Sequence, residues 1–161
     1  MITLVRVDNR LIHGQVVEAW LPHLKVSRVV VADDEAASSP LIRAAMALAV
    51  QSAIEVQILP LAEVDFTALS RDGVRTLVLL RDVASVPFAF QHGLAMDQLN
   101  LGNVHFGTGR RQVSPSVFLA EGELQALQQL SAQGVRVEAR AVPAEKAVDL
   151  PDLTERWSKA G

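Results

Sequence analysis

The 161-residue chain contains no cysteine, which excludes disulfides, thiolate metal sites and a cysteine nucleophile. Tyrosine is also absent and aromatic residues make up 4%, too few for a base-stacking surface. There is no excess of positive charge: a net charge of −3 argues against a nucleic-acid partner. Half of the residues are apolar, yet no apolar run approaches the roughly 20 residues that a membrane span requires. No direct membrane insertion is therefore expected. Arg6, Asp8 and Arg10 interrupt the one early apolar stretch, so a secretory signal is not expected and a cytoplasmic location is. The four histidines lack metal-ligand spacing, and no metal site is expected. No G-x-S-x-G, P-loop or G-x-G-x-x-G pattern occurs, so no nucleotide or nicotinamide cofactor is expected.

What is present is an alternation of short β-branched runs with longer helical patterns. It predicts an α/β fold: a single domain over residues 1–161, with an open, mostly parallel sheet, helices on both faces and a small antiparallel C-terminal part. Strands are expected over Ile2–Val7, Arg28–Ala32, Glu55–Leu59, Arg75–Leu80 and Leu99–Val104, then over Val113–Leu119 and Val135–Val142. A helix is expected from Gln15 to about Leu24, stopping near Pro22. A second opens with Ser39 as N-cap and Pro40 in its first turn, and carries an apolar stripe of Leu41, Ala44, Ala45, Leu48 and Ala49. Further helices are expected over Leu61–Ser70, from Pro87 to before Gly93, over Glu121–Gln133 with a stop at Gly134, and in the tail Asp149–Lys159.

The most unusual chemistry lies between the first strand and the first helix, in Arg6-Val7-Asp8-Asn9-Arg10-Leu11-Ile12-His13-Gly14-Gln15-Val16. Parallel α/β sheets bind ligands beyond the carboxyl ends of their strands, and a helix N-terminus favours an anion. Arg6 and Arg10 are cationic donors suited to phosphate oxygens. Asp8 is placed to orient Arg10 or to fix the tautomer of His13, and Gly14 lets the backbone come close. These are the requirements of an imidazole that carries a phosphoryl group. The spacing also fits a partly buried histidine in a turn, with the arginines paired to Asp8. Leu11 and Ile12 fit an apolar docking ring or the core equally well. His23 and His92 read as solvated helix ends. His105, ahead of the basic loop Gly107-Thr108-Gly109-Arg110-Arg111, reads as a solvated loop, a second anion contact or part of a docking surface. Asp33-Asp34 reads as the edge of the cleft, without a catalytic role, or as a solvated strand end.

Arg6-x-Asp8-x-Arg10-Leu11-Ile12-His13-Gly14-Gln15-Val16 resembles the active-site motif of the IIB components of the mannose/fructose/sorbose class of the bacterial phosphoenolpyruvate:sugar phosphotransferase system. Trp20, the stretch Leu99 to Phe106 with Gly109 to Val113, and Arg140-x-Val142-Pro143 with Lys146 to Leu150 are similar to further parts of that family, so the resemblance covers nearly the whole chain. Asn9, often acidic in relatives, and Gly107-Thr108, in place of a more polar pair, depart from the pattern without removing a reactive group. The resemblance implies that His13 is the phosphoryl acceptor, supported by Arg10 and Asp8, with Gly14 and Gln15 presenting backbone N–H groups to the phosphate. It implies a IIA domain as donor, itself charged by the phosphohistidine protein HPr. The acceptor would be a sugar crossing the membrane through IIC and IID subunits. The alternative is a regulatory protein in which phospho-His13 controls a partner. A homo-oligomer is left open.

Overall fold

A computed structural model describes residues 1–161. The elements run β1 (Ile2–Asp8), a π-helical turn (Val16–Trp20) continued by α1 (Leu21–Leu24), β2 (Arg28–Ala32), α2 (Asp34–Ser38), α3 (Pro40–Ala49), β3 (Glu55–Leu59), a 3-10 turn (Leu61–Glu63), α4 (Phe66–Arg71), β4 (Thr76–Leu80) and α5 (Ser85–Gln91). They continue with β5 (Gln98–Asn103), β6 (Arg111–Ser114), β7 (Val117–Leu119), α6 (Glu121–Ala132), β8 (Arg136–Ala139), β9 (Val148–Asp149) and α7 (Leu150–Lys159). Seven strands form one sheet in the order β3-β2-β4-β1-β5-β8-β9. All neighbours pair in parallel except β8 and β9, which are antiparallel. A second, antiparallel pair, β6 and β7, docks against the end of β5 through a Val104–Val117 bridge.

β2 and β4 are buried along their whole length, which is why each reads as a continuous apolar run in place of an alternation. Side-chain parity divides the core in two. Val5, Val7, Leu99 and Leu101 face a cluster built with Phe66, Val86, Leu127 and Leu153. Leu4, Val29, Val31, Leu77 and Leu79 face the other side, against Leu11, Val16, Trp20 and Leu21. The connection from β1 runs towards β2 and β3, whereas the connections from β4 and β5 run the other way. The direction of winding therefore reverses between β1 and β5, and the crevice this opens beyond their carboxyl ends is the expected binding position for the architecture.

Several elements differ from the sequence-based expectation for identifiable reasons. The first helix widens into a π-turn just before Pro22, where the Leu21 N–H reaches back to the Val16 carbonyl; Pro22 has no N–H to give and its ring crowds the carbonyl four residues back. The expected helix Leu61–Ser70 is split by Asp65, whose side chain accepts from the Ala68 N–H and caps α4. Val113–Leu119 is a hairpin of two strands, not one run. In α3 the stripe Leu41, Ala44, Ala45, Leu48 and Ala49 faces outward. Ile42 and Met46, four residues apart, pack instead on the core, and buried Val50 continues the same row, so it is the phase of the helix and not the number of apolar residues that sets its inner face. Ser39 does cap this helix, accepting from the Ile42 N–H at 3.2 Å, with Pro40 in the first turn. Leu41 and Leu48 are 81% and 86% exposed. Leu48→Lys is accordingly expected to change unfolding free energy by no more than about 0.5 kcal/mol, and Met46→Ala to cost at least about 1 kcal/mol. Urea titration of the two variants checks the assignment: a costly Leu48 variant beside a neutral Met46 variant would reverse it.

Candidate functional site

β1 is a central strand, so both of its faces are covered. Arg6 and Asp8 share parity with Leu4 and lie on the side closed by Trp20. Both are fully buried, at 0% exposure. The Arg6 guanidinium donates to Asp8 Oδ2 from Nε at 3.2 Å and from Nη2 at 3.0 Å. It also donates from Nη1 to Asn100 Oδ1 at 2.7 Å and to the Arg140 carbonyl at 3.2 Å. Its carbon centre lies 5.1 Å from the Trp20 ring centroid, and that of Arg140 lies 5.5 Å from it. The Trp20 indole N–H donates to the Ala141 carbonyl at 2.8 Å, fixing the ring as a lid. Arg6 was expected to touch phosphate oxygens. Instead it is enclosed below the site, and its charge acts on Asp8.

Gly102 explains how so large a group fits. A Cβ at that position would lie 2.0 Å from the Arg6 guanidinium carbon. The same segment carries a register shift: Val7 pairs with Leu101, but Asp8 pairs with Asn103. This irregularity leaves Gly102 over Arg6 and brings Asn103 level with Asp8. Bulges serve this purpose beside functional sites.

The loop after β1 is built on Asp8. Its Oδ1 accepts the Arg10 backbone N–H at 2.9 Å, and its carbonyl accepts the Leu11 N–H at 3.0 Å. Leu11 takes a left-handed backbone, φ 58°, which costs a non-glycine residue roughly 1–2 kcal/mol. Its fully buried side chain holds it there. Leu11 and Ile12 are thus core residues and not an apolar ring at the surface. The tight turn lifts His13 to the rim, where its side chain is 14% exposed.

His13 Nε2 lies 2.8 Å from Asp8 Oδ2. That oxygen also accepts from Arg6 and, at 2.9 Å, from the Asn103 side-chain N–H. An ionised carboxylate can only accept. The His13 proton therefore sits on Nε2, and Nδ1 keeps the lone pair. Burial alone would push the Asp8 pKa up. The hydrogen bond from His13, the Arg6 charge, and the Asn103 and Arg10 donors outweigh it and hold the carboxyl below its ordinary range.

Around this pair the helix begins at Gly14, and its first-turn N–H groups face an incoming anion. A Cβ on Gly14 would meet nothing within 4 Å, so the fold does not require glycine there and the space above it is open. Arg10 is exposed, with Nη2 at 3.5 Å from Gln15 Oε1, the far limit of a hydrogen bond. Asp33 caps α2 through the Ala36 N–H at 2.9 Å and grips Arg81 at 2.9 and 2.7 Å. Arg81 in turn donates to the Asn9 carbonyl at 3.3 Å, bracing the loop. His105 is exposed. Of the adjacent arginines, Arg110 is engaged with Glu123 and Arg111 with Trp157. No group of three or more His, Asp or Glu side chains is arranged to hold a metal ion, and no helix is long and apolar enough to cross a membrane.

Asn100, Asn103, Glu138 and Arg140 have places in this network that the sequence did not assign. Only for Asn100 was a signal available: it stands between Leu99 and Leu101 in a strand whose interior is buried, where a polar side chain needs a buried partner.

Residues 2–160 match the family model described as PTS system sorbose subfamily IIB component. The chain is 32% identical over 150 residues to the N-acetylgalactosamine-specific phosphotransferase enzyme IIB component 2 of Escherichia coli, covering 92% of this chain and 96% of that protein. It is 27% identical over 161 residues to the PTS system mannose-specific EIIAB component of Escherichia coli. There it covers 99% of this chain but spans only 50% of the relative. Among solved structures, the IIBSor domain of the sorbose permease from Klebsiella pneumoniae superposes with a TM-score of 0.87 at 25% identity, covering 96% of this chain and 97% of that one. The chain belongs to the sorbose-subfamily IIB components of the bacterial phosphoenolpyruvate:sugar phosphotransferase system, the phosphotransferase subunits of sugar transport.

Proposed function

We propose that this protein is the phosphohistidine carrier of a sugar-uptake system: it takes a phosphoryl group from a IIA domain onto His13 and delivers it to a sugar entering through IIC and IID membrane subunits. The observation that carries this reading is the bond from His13 Nε2 to a buried, donor-saturated Asp8 at 2.8 Å. It leaves Nδ1 as the one nucleophilic nitrogen, at the rim of the crevice. The relative whose name joins IIA and IIB in one chain supports a IIA domain as the donor. The work is done on the cytoplasmic side of the membrane, where the donor domain is charged.

In the first step the Nδ1 lone pair attacks the phosphorus of the donor's phosphohistidine. A new N–P bond forms, the old one breaks, and its electron pair returns to the donor imidazole. The ring of phospho-His13, which keeps its Nε2 proton, becomes cationic and is stabilised by the Asp8 carboxylate. Arg10 and the N–H groups of Gly14 and Gln15 hold the phosphoryl oxygens. In the second step a sugar hydroxyl attacks phosphorus and its proton passes to solvent. The N–P bond breaks, and the electron pair returns to Nδ1.

The test is reconstitution with phosphoenolpyruvate, enzyme I, HPr and a cognate IIA domain, followed by mass spectrometry and phosphorus NMR of the product. Acid-labile phosphate on Nδ1 of His13 is expected. Phosphate on Nε2 or on another residue, or none when the IIA domain is demonstrably charged, would overturn the assignment.

A further inference from the structure

We infer that Asn103 is a positioning residue that turns the Gln15 side-chain amide so that its NH2 group, and not its oxygen, is free to meet the phosphoryl group on His13. This inference rests on the carrier reading above.

The argument is one of forced polarity. Asp8 Oδ2 can only accept, so the Asn103 group that lies 2.9 Å from it must be Nδ2, a donor. Nδ2 carries two hydrogens. The second points to Gln15 at 3.1 Å, and only the carbonyl Oε1 can receive it. Arg10 Nη2, also a donor, approaches the same Oε1 at 3.5 Å. Gln15 is thus held by its oxygen, and its Nε2 makes no hydrogen bond within the chain. An amide held by its carbonyl offers two N–H donors in a fixed direction. Donors set in place before charge develops stabilise it without reorganisation at the moment of reaction.

The backbone supports the same assignment. The register shift at Gly102 is what sets Asn103 level with Asp8, and the Asn103 carbonyl accepts the Asn9 N–H at 3.0 Å. The residue therefore ties β5 to the loop that carries His13 as well as to both side chains. The buried charge of Asp8 is read out, one hydrogen bond at a time, as the orientation of a neutral amide at the surface.

The experiment compares wild type, Asn103→Leu, Gln15→Met and the double variant, which keep the branching of Asn103 and the chain length of Gln15 while removing their hydrogen-bonding groups. The rate of phosphoryl transfer from a charged IIA domain is measured, together with side-chain amide and imidazole spectra of the unphosphorylated proteins. Each single variant is expected to lose roughly 10- to 100-fold in transfer rate, with the apparent affinity for the IIA domain unchanged. The double variant is expected to lose little more than the worse single one, because the two residues act as a unit. In the spectra, both Asn103 NH2 protons should be protected from exchange and those of Gln15 should exchange freely. The Asn103→Leu variant should keep the His13 tautomer, since Arg6 still holds Asp8. A wild-type rate in Gln15→Met, losses that multiply in the double variant, or protected Gln15 protons would overturn the inference. If wild type accepts no phosphate from charged IIA, the carrier reading fails, and the exchange pattern alone then decides the orientation of Gln15.

Discussion

Alanine at position 13 is expected to reduce phosphoryl acceptance to background while leaving the protein folded. The chemical half of this expectation follows from the tautomer. Only Nδ1 of His13 combines a free lone pair with access to the rim, and no other nucleophile lies in the network around Asp8. His23 and His92 stand at helix ends elsewhere, His92 with its Nδ1 bonded to the Phe88 carbonyl at 2.7 Å. Neither can substitute. The structural half follows from what the imidazole leaves behind. Asp8 Oδ2 would lose one donor and keep those of Arg6 and Asn103, so the cost should be close to that of one hydrogen bond, about 0.5–1.5 kcal/mol. Intact-mass analysis after incubation with charged IIA, beside a thermal unfolding curve, checks both halves. Full labelling of the variant would move the acceptor to another residue. A collapse in stability would make His13 a structural group.

The elements that the sequence revealed are those governed by local chemistry. The Ser39–Pro40 cap, the stop at Gly134 with φ 96° and the runs of β2 and β4 each depend on a few adjacent residues. The placement of Arg6 depends instead on distant strands. In sequence it stands two residues from Asp8 and four from Arg10, and all three look like candidates for phosphate. Pairing with β4 on one side and β5 on the other makes β1 central, and parity then sends Arg6 under Trp20 while Arg10, beyond the strand, stays at the surface. Asn103 was hidden for a similar reason. Its position opposite Asp8 comes from a register shift, which no spacing rule displays. The α3 stripe failed on phase: Leu41, Ala44, Ala45, Leu48 and Ala49 outnumber Ile42 and Met46 in a count, but the row that Ile42 and Met46 make with Val50 is the one that meets the core. The motif Asp8-to-Gln15 showed which residues meet. Which of them touch phosphate, and which hold the ones that do, depends on burial.

Removing the Asp8 carboxylate should cost more stability than any other single change at the site. Asp8→Ala leaves the Arg6 guanidinium at 0% exposure with only the Asn100 and Arg140 oxygens as partners, and stripping one member from a buried ion pair typically costs about 3–5 kcal/mol. Total stabilities of about 5–15 kcal/mol make that a large fraction. Replacing both members with apolar groups, Arg6→Met with Asp8→Leu, should recover most of the loss, because no buried charge is then left unpaired. Stability and activity should part company here, since the repacked variant has nothing to fix the His13 tautomer. Asp8→Asn makes the same point more gently. Its amide oxygen would take the place of Oδ2, where the donors of Arg6, His13 and Asn103 converge, and its NH2 group would oppose the Arg10 N–H. The tautomer survives, but the charge that stabilises the cationic ring of phospho-His13 is lost, with an expected fall in transfer of roughly two orders of magnitude. The pH dependence gives an independent check. The Asp8 pKa is lower in the folded protein than in the unfolded chain, so its contribution is complete above the ordinary aspartate value of about 4 and is lost as pH falls through the folded value. Asp8→Asn should therefore flatten the acid limb of the stability curve below about pH 4. Asp33 and Asp72, also held below their ordinary range, should leave a residual slope. Urea titrations of the three variants between neutral and acid pH test the whole argument. If Asp8→Ala costs less than about 1 kcal/mol, or if the acid limbs of wild type and Asp8→Asn coincide, the buried pair is not what holds this end of the sheet together.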